Sequence, residues 1–137
     1  MPIRCDIVTQ DRSLFSGEAD MVVAPGSEGV LGILPHHTPL LTTLSYGILV
    51  VKHAGTESAF AIAGGIMEVL PDAVTVLADV GERVDEIDVA RAEAAKARAE
   101  ELLKKAPGEA TEAYLKAMAS LRRSQLRLEA ARKFRKG

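Results

Sequence analysis

Glycine and proline stop abruptly partway along the chain, and that break constrains its fold more than any other feature. Nine of the 11 glycines and five of the six prolines lie at or before Gly81, and neither residue occurs between Asp88 and Lys105. A segment interrupted every few residues cannot sustain a long helix, because proline removes a backbone donor and glycine carries a large entropic cost. A long uninterrupted alanine-rich segment favours one. The chain is therefore expected to change structural class near Gly81.

Before the break, short apolar runs alternate with turn residues. "IRCDIVT", "ADMVVAP", "GILVVKHA", "SAFAIAG", "IMEVL" and "AVTVLAD" are rich in valine and isoleucine, each of about strand length. Pro25-Gly26, Gly29, Gly47, Ala54-Gly55, Gly64-Gly65 and Pro71-Asp72 separate them as turn signals, at the spacing of an all-β sandwich or barrel. No segment here is long enough for a substantial helix, so a parallel sheet would lack its crossover connections.

After the break the period is helical. Asp88 to Lys105 is rich in alanine with charges of alternating sign, Ala106-Pro107-Gly108 interrupts it, and Ala110 to Lys136 resumes. The second run places Tyr114, Ala117, Met118, Leu121 and Leu128 near one helical face. Two helices joined by a short turn form an antiparallel hairpin. Its apolar faces are thin, with Leu102 and Leu103 on the first helix and otherwise mostly alanine. Hydrophobic stabilisation scales with buried area at about 25 cal/mol per Å², so this hairpin is marginal alone. It is expected to dock on the sheet, on a partner, or on each in turn. The boundary falls within Gly81–Glu86, dividing the chain into a sheet domain (1–83) and a helical domain (84–137).

Composition excludes several classes. Cys5 is the only cysteine, so one chain forms neither a disulfide framework nor a multi-cysteine metal site, and a reducing compartment is favoured. The longest apolar stretch, Ala59 to Met67, is far shorter than the roughly 20 residues of a membrane-spanning helix. "MPIRCDIVTQ" carries Arg4 and Asp6 and lacks the apolar core of a secretory signal. A cytoplasmic protein, or one peripheral to a cytoplasm-facing surface, is expected.

Charge is lopsided. Residues 1–82 hold 3 Lys/Arg against 10 Asp/Glu, and residues 83–137 hold 14 against 9. The helical part is therefore suited to an anionic partner. From Leu121 to Gly137 there are seven Lys/Arg and one Glu, yet Phe134 is the only aromatic there, so the stacking platform of a single-strand nucleic-acid binder is missing. An acidic protein partner fits at least as well, and no nucleic acid is expected.

Enzymatic motifs are weak. His36, His37 and His53 form no metal-binding spacing, no G-x-S-x-G elbow occurs, and Gly26, Gly29 and Gly32 are not followed by the Gly-Lys-Ser/Thr of a phosphate loop. The stretch "GSEGVLGILPHHTPLL", residues 26–41, is instead expected to be a long, rigid connection and a contact surface.

The hairpin arginines admit two readings. With a turn centred near Pro107, Arg91 falls opposite Arg123, with Arg127 and Arg98 on neighbouring turns of the same faces. Converging guanidinium groups favour an anion among them, and their forked geometry suits phosphate. Alternatively Asp88 is only a helix N-cap and the arginines extend into water. Spacing alone favours the cap.

The chain resembles the epsilon subunit of the bacterial rotary ATP synthase along essentially its whole length. The resemblance rests on "DRSLFSGEADMVVAPGSEGVLGILPHHTPLLTTLSYGILVV", "AIAGGIMEVLPDAVTVLAD" and "ERVDEIDVARAEAAKARAE", in that order. It implies a ten-stranded β-sandwich followed by a helical hairpin, in a noncatalytic subunit of the rotor's central stalk. It also implies that the sandwich binds the gamma subunit and the c-subunit ring, with Glu28, Leu31 and His37 as contacts. The hairpin is then expected to fold beside the sandwich or extend toward the catalytic hexamer and restrain ATP hydrolysis, with Arg122, Arg123, Arg127 and Lys133 facing the beta subunit. Val30 stands where relatives often carry an acidic residue.

In some members of that family ATP binds the folded hairpin through an Ile/Leu-Asp-x-x-Arg-Ala motif. Here it reads Ile87-Asp88-Val89-Ala90-Arg91-Ala92, and the supporting positions fall on Glu82, Arg98, Arg123 and Arg127. No cofactor is implied as a requirement; ATP is implied as a regulatory ligand. The resemblance further implies a peripheral place on the cytoplasmic face of the inner membrane. A stand-alone ATP-sensing module is the alternative reading.

Overall fold

The computed structural model describes residues 2–105, 108 and 111–135. Eight strands come first: β1 (Ile3–Val8), β2 (Ser13–Ala19), β3 (Met21–Gly26), β4 (Gly29–Ile33), β5 (Leu40–His53), β6 (Thr56–Leu70), β7 (Ala73–Ala78) and β8 (Gly81–Arg83). They hydrogen-bond in the order β2-β1-β7-β6-β5-β3-β4, with β8 on β6. Every pairing is antiparallel except β1 with β7.

The sheet folds over on itself through its two longest strands. β6 pairs with β7 along Gly65–Leu70 and with β8 along Phe60–Ile62. Between these stretches Gly64 and Gly65 adopt φ of 85° and 139°, a backbone that L side chains rarely take. "SAFAIAG" and "IMEVL", expected as two strands, are thus one bent strand, and the glycine pair is its bend rather than a turn. β5 follows β6 from Leu40↔Val69 to His53↔Thr56, so both strands serve the two layers. Dividing each at the bend turns eight continuous strands into the ten that the resemblance implies.

Three further strands escaped the pattern, one of them the three-residue β8. β2 reads "SLFSGEA", too polar to stand out, and β4 reads "GVLGI", whose glycines suggest a loop. Residues 26–41 are therefore a turn, an edge strand and a second loop, not one long connection.

The core between the layers is aliphatic: Ile3, Ile7, Val22, Leu49, Ile62, Met67, Val69, Val74 and Val76 are all almost fully buried. Phe60 meets Phe15 edge-on, with ring centroids 5.9 Å apart. At the β5–β6 turn, Ala54 donates its backbone N–H to Asp20 Oδ2 at 2.8 Å, which holds the Asp20 carboxyl below its ordinary pKa. Cys5 lies wholly inside, and burial pushes its thiol up to about 12. Because the thiolate is the reactive form, Cys5 is expected to resist a thiol-specific disulfide reagent at pH 8 in the native protein and to react at once in denaturant. Rapid native labelling would contradict that burial.

A single 3-10 turn, Val84–Glu86, leads to α1 (Val89–Lys105), and α2 (Glu112–Phe134) returns. Of the expected break only Gly108 is described; Ala106 and Pro107 lie outside the described residues. Thr111 caps α2 by accepting the Tyr114 N–H at 3.2 Å. α1 buries Ala92 and Ala99, while α2 buries Ala117, Ser124 and Ala131; each set repeats every seven residues. That repeat makes a helix–helix seam of small side chains. The Ser124 hydroxyl is satisfied by donating to the Ser120 carbonyl at 2.8 Å.

α2 docks on the outer surface of β5 and β6. Leu126, Ala130 and Ala131 join Ala61, Ala63, Val84 and Ile87 in a second apolar cluster, with Tyr46, Ile48, Val89 and Phe134 at its margin. Of the face expected from spacing, only Ala117 is buried; Tyr114, Met118, Leu121 and Leu128 are half-exposed. The physical reason is that Ala61 and Ala63 offer a flat, shallow surface. Alanines lie flush on such a surface, so the docking stripe carries little hydrophobic signal.

Candidate functional site

The two helices and the segment joining them to the sandwich hold most of the residues singled out above. Glu82 lies on β8 opposite Ala61 of β6, at the edge of the docking surface. Arg127, near the middle of α2, donates from Nε to Glu82 Oε1 at 2.8 Å, across 45 residues of sequence. Their side chains are 26% and 34% exposed, so solvent screens the pair only in part. It contributes about 1 kcal/mol to docking, the upper end for an accessible ion pair. Arg123 and Arg127 also line a small cleft with Glu82, Ala61, Val80 and Leu126, of about 10 Å³.

One turn away, the Arg122 guanidinium lies 4.0 Å from the centroid of the Tyr46 ring. The positive group sits on the ring's negative face. Tyr46 had no motif to announce it: its partner is distant in sequence, and only the packing of α2 across β5 brings them together. Arg135 was missed for the same reason. Its Nη1 donates to the Ile87 carbonyl at 2.7 Å.

Within the motif from Ile87 to Ala92, Ile87, Asp88 and Ala92 have structural roles. Ile87 and Ala92 are each 1% exposed, the first against α2 and the second in the helix seam. Asp88 is the N-cap: its Oδ1 accepts the Arg91 N–H at 3.0 Å, and its carbonyl accepts the Ala92 N–H at 3.0 Å. Arg91 and Arg98 are exposed, and neither forms a salt bridge among the described residues.

The expected level of Arg91 with Arg123 shifts. α1 ends at Lys105 and α2 begins at Glu112, so the hairpin's midpoint lies beyond Pro107. Arg91 is then level with about residue 126, roughly 5 Å from Arg123 along the axis. Side chains lean toward the N-terminus of their own helix, so in an antiparallel pair these two guanidinium groups lean apart. A compact anion between them is not favoured; an elongated one is compatible.

The proposed contacts of the sandwich are accessible but separated. Glu28 is exposed in the β3–β4 turn and Leu31 half-buried on β4, whereas His37 follows the far end of β4. His37 Nδ1 lies 2.6 Å from the Thr38 carbonyl oxygen. Val30 and Leu34 are the exposed apolar residues of this edge, at 75% and 56%. Lys133 pairs with Glu129 one turn back on α2 at 2.9 Å. Among the described residues no cluster of His, Cys, Asp and Glu is placed to hold a metal ion, and no helix is long and apolar enough to cross a membrane.

A β-sandwich followed by a helical pair is the arrangement of the ATP synthase delta/epsilon chains. Residues 2–84 match the family described as the ATP synthase delta/epsilon chain beta-sandwich domain, and residues 85–132 match its long alpha-helix domain. The ATP synthase epsilon chain of Dehalococcoides mccartyi is 50% identical over 136 residues, 98% of this chain and 95% of that one. That of Herpetosiphon aurantiacus is 48% identical over 132 residues, 96% of each. The chain belongs to the ATP synthase epsilon-chain family, as a noncatalytic member. Among solved structures, a chain of the Euglena gracilis mitochondrial ATP synthase superposes with a TM-score of 0.79 at 24% identity, covering 95% of this chain and 81% of that one. A chain of the Tetrahymena thermophila mitochondrial ATP synthase central stalk and c-ring gives 0.58 at 19% identity, covering 96% and 97%. These two likenesses concern the fold.

Proposed function

We propose that this chain is a rotor subunit in the central stalk of a proton-translocating F-type ATP synthase. Its sandwich binds the gamma subunit and the c-subunit ring and couples ring rotation to ATP synthesis. Its hairpin restrains ATP hydrolysis when α2 leaves the sandwich and presents Arg122, Arg123, Arg127 and Lys133 to an acidic surface of the beta subunit. The complex places it peripherally, on the cytoplasmic face of the membrane.

The observation that carries the regulatory part is the docking of α2. Two of the basic side chains intended for a partner are already engaged by the sandwich, Arg127 by Glu82 and Arg122 by Tyr46. The apolar patch beneath them contains one large buried residue of α2, Leu126. Such contacts hold the helix yet are separable, so an acidic partner competes for the same arginines. Copurification of the chain with gamma tests the rotor role and separates it from a stand-alone ATP-sensing module.

For ATP, part of the donor chemistry is free. Arg91 and Arg98 carry no carboxylate partner among the described residues, which leaves them available to phosphate. Glu82 and Arg127, however, are already paired with each other, at 2.8 Å. A phosphate that also engages Arg127 must therefore compete with Glu82 for its guanidinium. Calorimetry on the full chain is expected to show ATP binding that Arg91→Ala and Asp88→Ala each weaken about tenfold, the loss of one charge-assisted hydrogen bond or of the helix cap. Undetectable binding at millimolar ATP would remove the ligand and leave the rotor role untouched.

A further inference from the structure

Two carbonyls at the junction between sandwich and hairpin receive no backbone N–H among the described residues: those of Asp85 and Ile87. Neither is part of α1, which starts its ladder with the Asp88 carbonyl. Both are served by one side chain from the far end of the chain, Arg135, which donates from Nη1 to Ile87 at 2.7 Å and from Nη2 to Asp85 at 3.2 Å. Ile87 and Val84 are 1% and 3% exposed, and they pack with Ala130, Ala131 and Phe134 of the last turns of α2.

The sandwich grips the same segment from the other side, through carboxylates rather than carbonyls. Arg12 pairs with Glu86 at 3.3 Å, and Arg83 with Asp85 at 3.4 Å. The hinge therefore has one set of contacts to the sandwich and another to α2. We infer that Arg135 is a hinge lock: its guanidinium, bridging the Asp85 and Ile87 carbonyls, keeps the docked hairpin closed, so that the last turn of α2 and the hinge open together.

The arrangement has the properties a lock needs. A planar guanidinium presents two donors in fixed geometry and suits two carbonyls at once, which a lysine ammonium does less well. The lock is also reachable. An open cleft of about 880 Å³ borders Arg135, Phe134, Arg83 and Asp85, so water can take over the Asp85 carbonyl when the side chain leaves. Swinging the hairpin about residues 84–87 breaks these two hydrogen bonds and exposes Val84 and Ile87.

The inference rests on the reading that the hairpin leaves the sandwich, and the test separates the two. Spin labels are placed at Thr56→Cys and Ala113→Cys in the full chain, both at exposed positions, with Cys5 buried and inert. Pulsed dipolar spectroscopy then gives the ratio of undocked to docked chains without any partner or nucleotide. Arg135→Gln is expected to raise that ratio about tenfold, Arg135→Lys by a smaller factor, and Arg132→Gln, which removes a charge three residues away, not at all. A ratio unchanged in Arg135→Gln, beside a docked native chain, overturns the lock alone. So does an equal rise in Arg132→Gln, which makes the effect one of net charge. A native chain with no docked population overturns the lock and the regulatory reading together.

Discussion

Replacing Leu126 by aspartate is expected to lift the hairpin from the sandwich while leaving the sandwich folded. Leu126 is 9% exposed and is the one large buried side chain that α2 gives to the docking cluster, with Ala61, Ala63, Val84 and Ile87. Its removal forfeits about 2 kcal/mol of apolar burial. The introduced carboxylate would be desolvated in a cleft that Glu82 shares with Arg123 and Arg127; because Arg127 is already paired with Glu82, compensation is partial and about 1 kcal/mol more is lost. Against this stand a patch of alanines and three arginine contacts, so the docked state loses by on the order of 100-fold. Amide exchange measures it: protection in α2 should collapse, while the amides of β1, β6 and β7 stay protected. An α2 as protected as in the native chain would contradict the account of docking.

The second large effect falls on the sandwich itself. At Gly65 an added Cβ would lie 2.3 Å from the Leu77 carbonyl oxygen and 2.9 Å from the Ala78 Cα, both backbone atoms that side-chain adjustment cannot move. The φ of 139° adds strain for any L residue. Gly65→Ala is expected to cost about 4 kcal/mol, combining backbone strain with local separation of β6 from β7. Gly55→Ala is the control: its φ is 79°, but nothing lies within 4 Å of the added Cβ, so about 1 kcal/mol of strain is all it incurs. Urea unfolding followed by circular dichroism distinguishes them, with the Gly65 variant unfolding at much lower denaturant. Because α2 packs on β6, its helical signal should be lost in the same transition. Equal midpoints for the two variants would contradict the bend as described.

These two positions show what the sequence discloses and what it withholds. The change of class at Gly81 is legible because glycine and proline act locally, each on its own backbone. The Asp88 cap is legible too, since a cap needs only an acidic side chain before the helix and an N–H three residues on. Gly64-Gly65 misleads, because one dipeptide serves equally for a turn and for a bend inside a strand. Only the pairing of β6 with both β7 and β8 distinguishes them.

The docking face is obscure for a different reason. Alanine contributes little to any hydrophobic pattern, yet Ala61, Ala63, Ala130 and Ala131 make the contact because their small size lets helix and sheet approach. Polar partners are harder still. Glu82–Arg127, Tyr46–Arg122 and the Arg135 bridge each join distant parts of the chain, and no local spacing encodes them. The arginine positions in α2 are visible in the sequence, but their level against α1 is not. It depends on where the connection turns, and the helix bounds put Arg91 level with about residue 126 rather than 123.

The central claim is that the hairpin, not the sandwich, restrains catalysis by the complex. The most direct measurement is the ATP hydrolysis rate of the gamma-containing catalytic hexamer, reconstituted with the full chain or with a chain ending after Arg83. Both are predicted to bind, and only the full chain to slow hydrolysis. Equal rates at saturation, or failure of the full chain to bind gamma, would contradict the account.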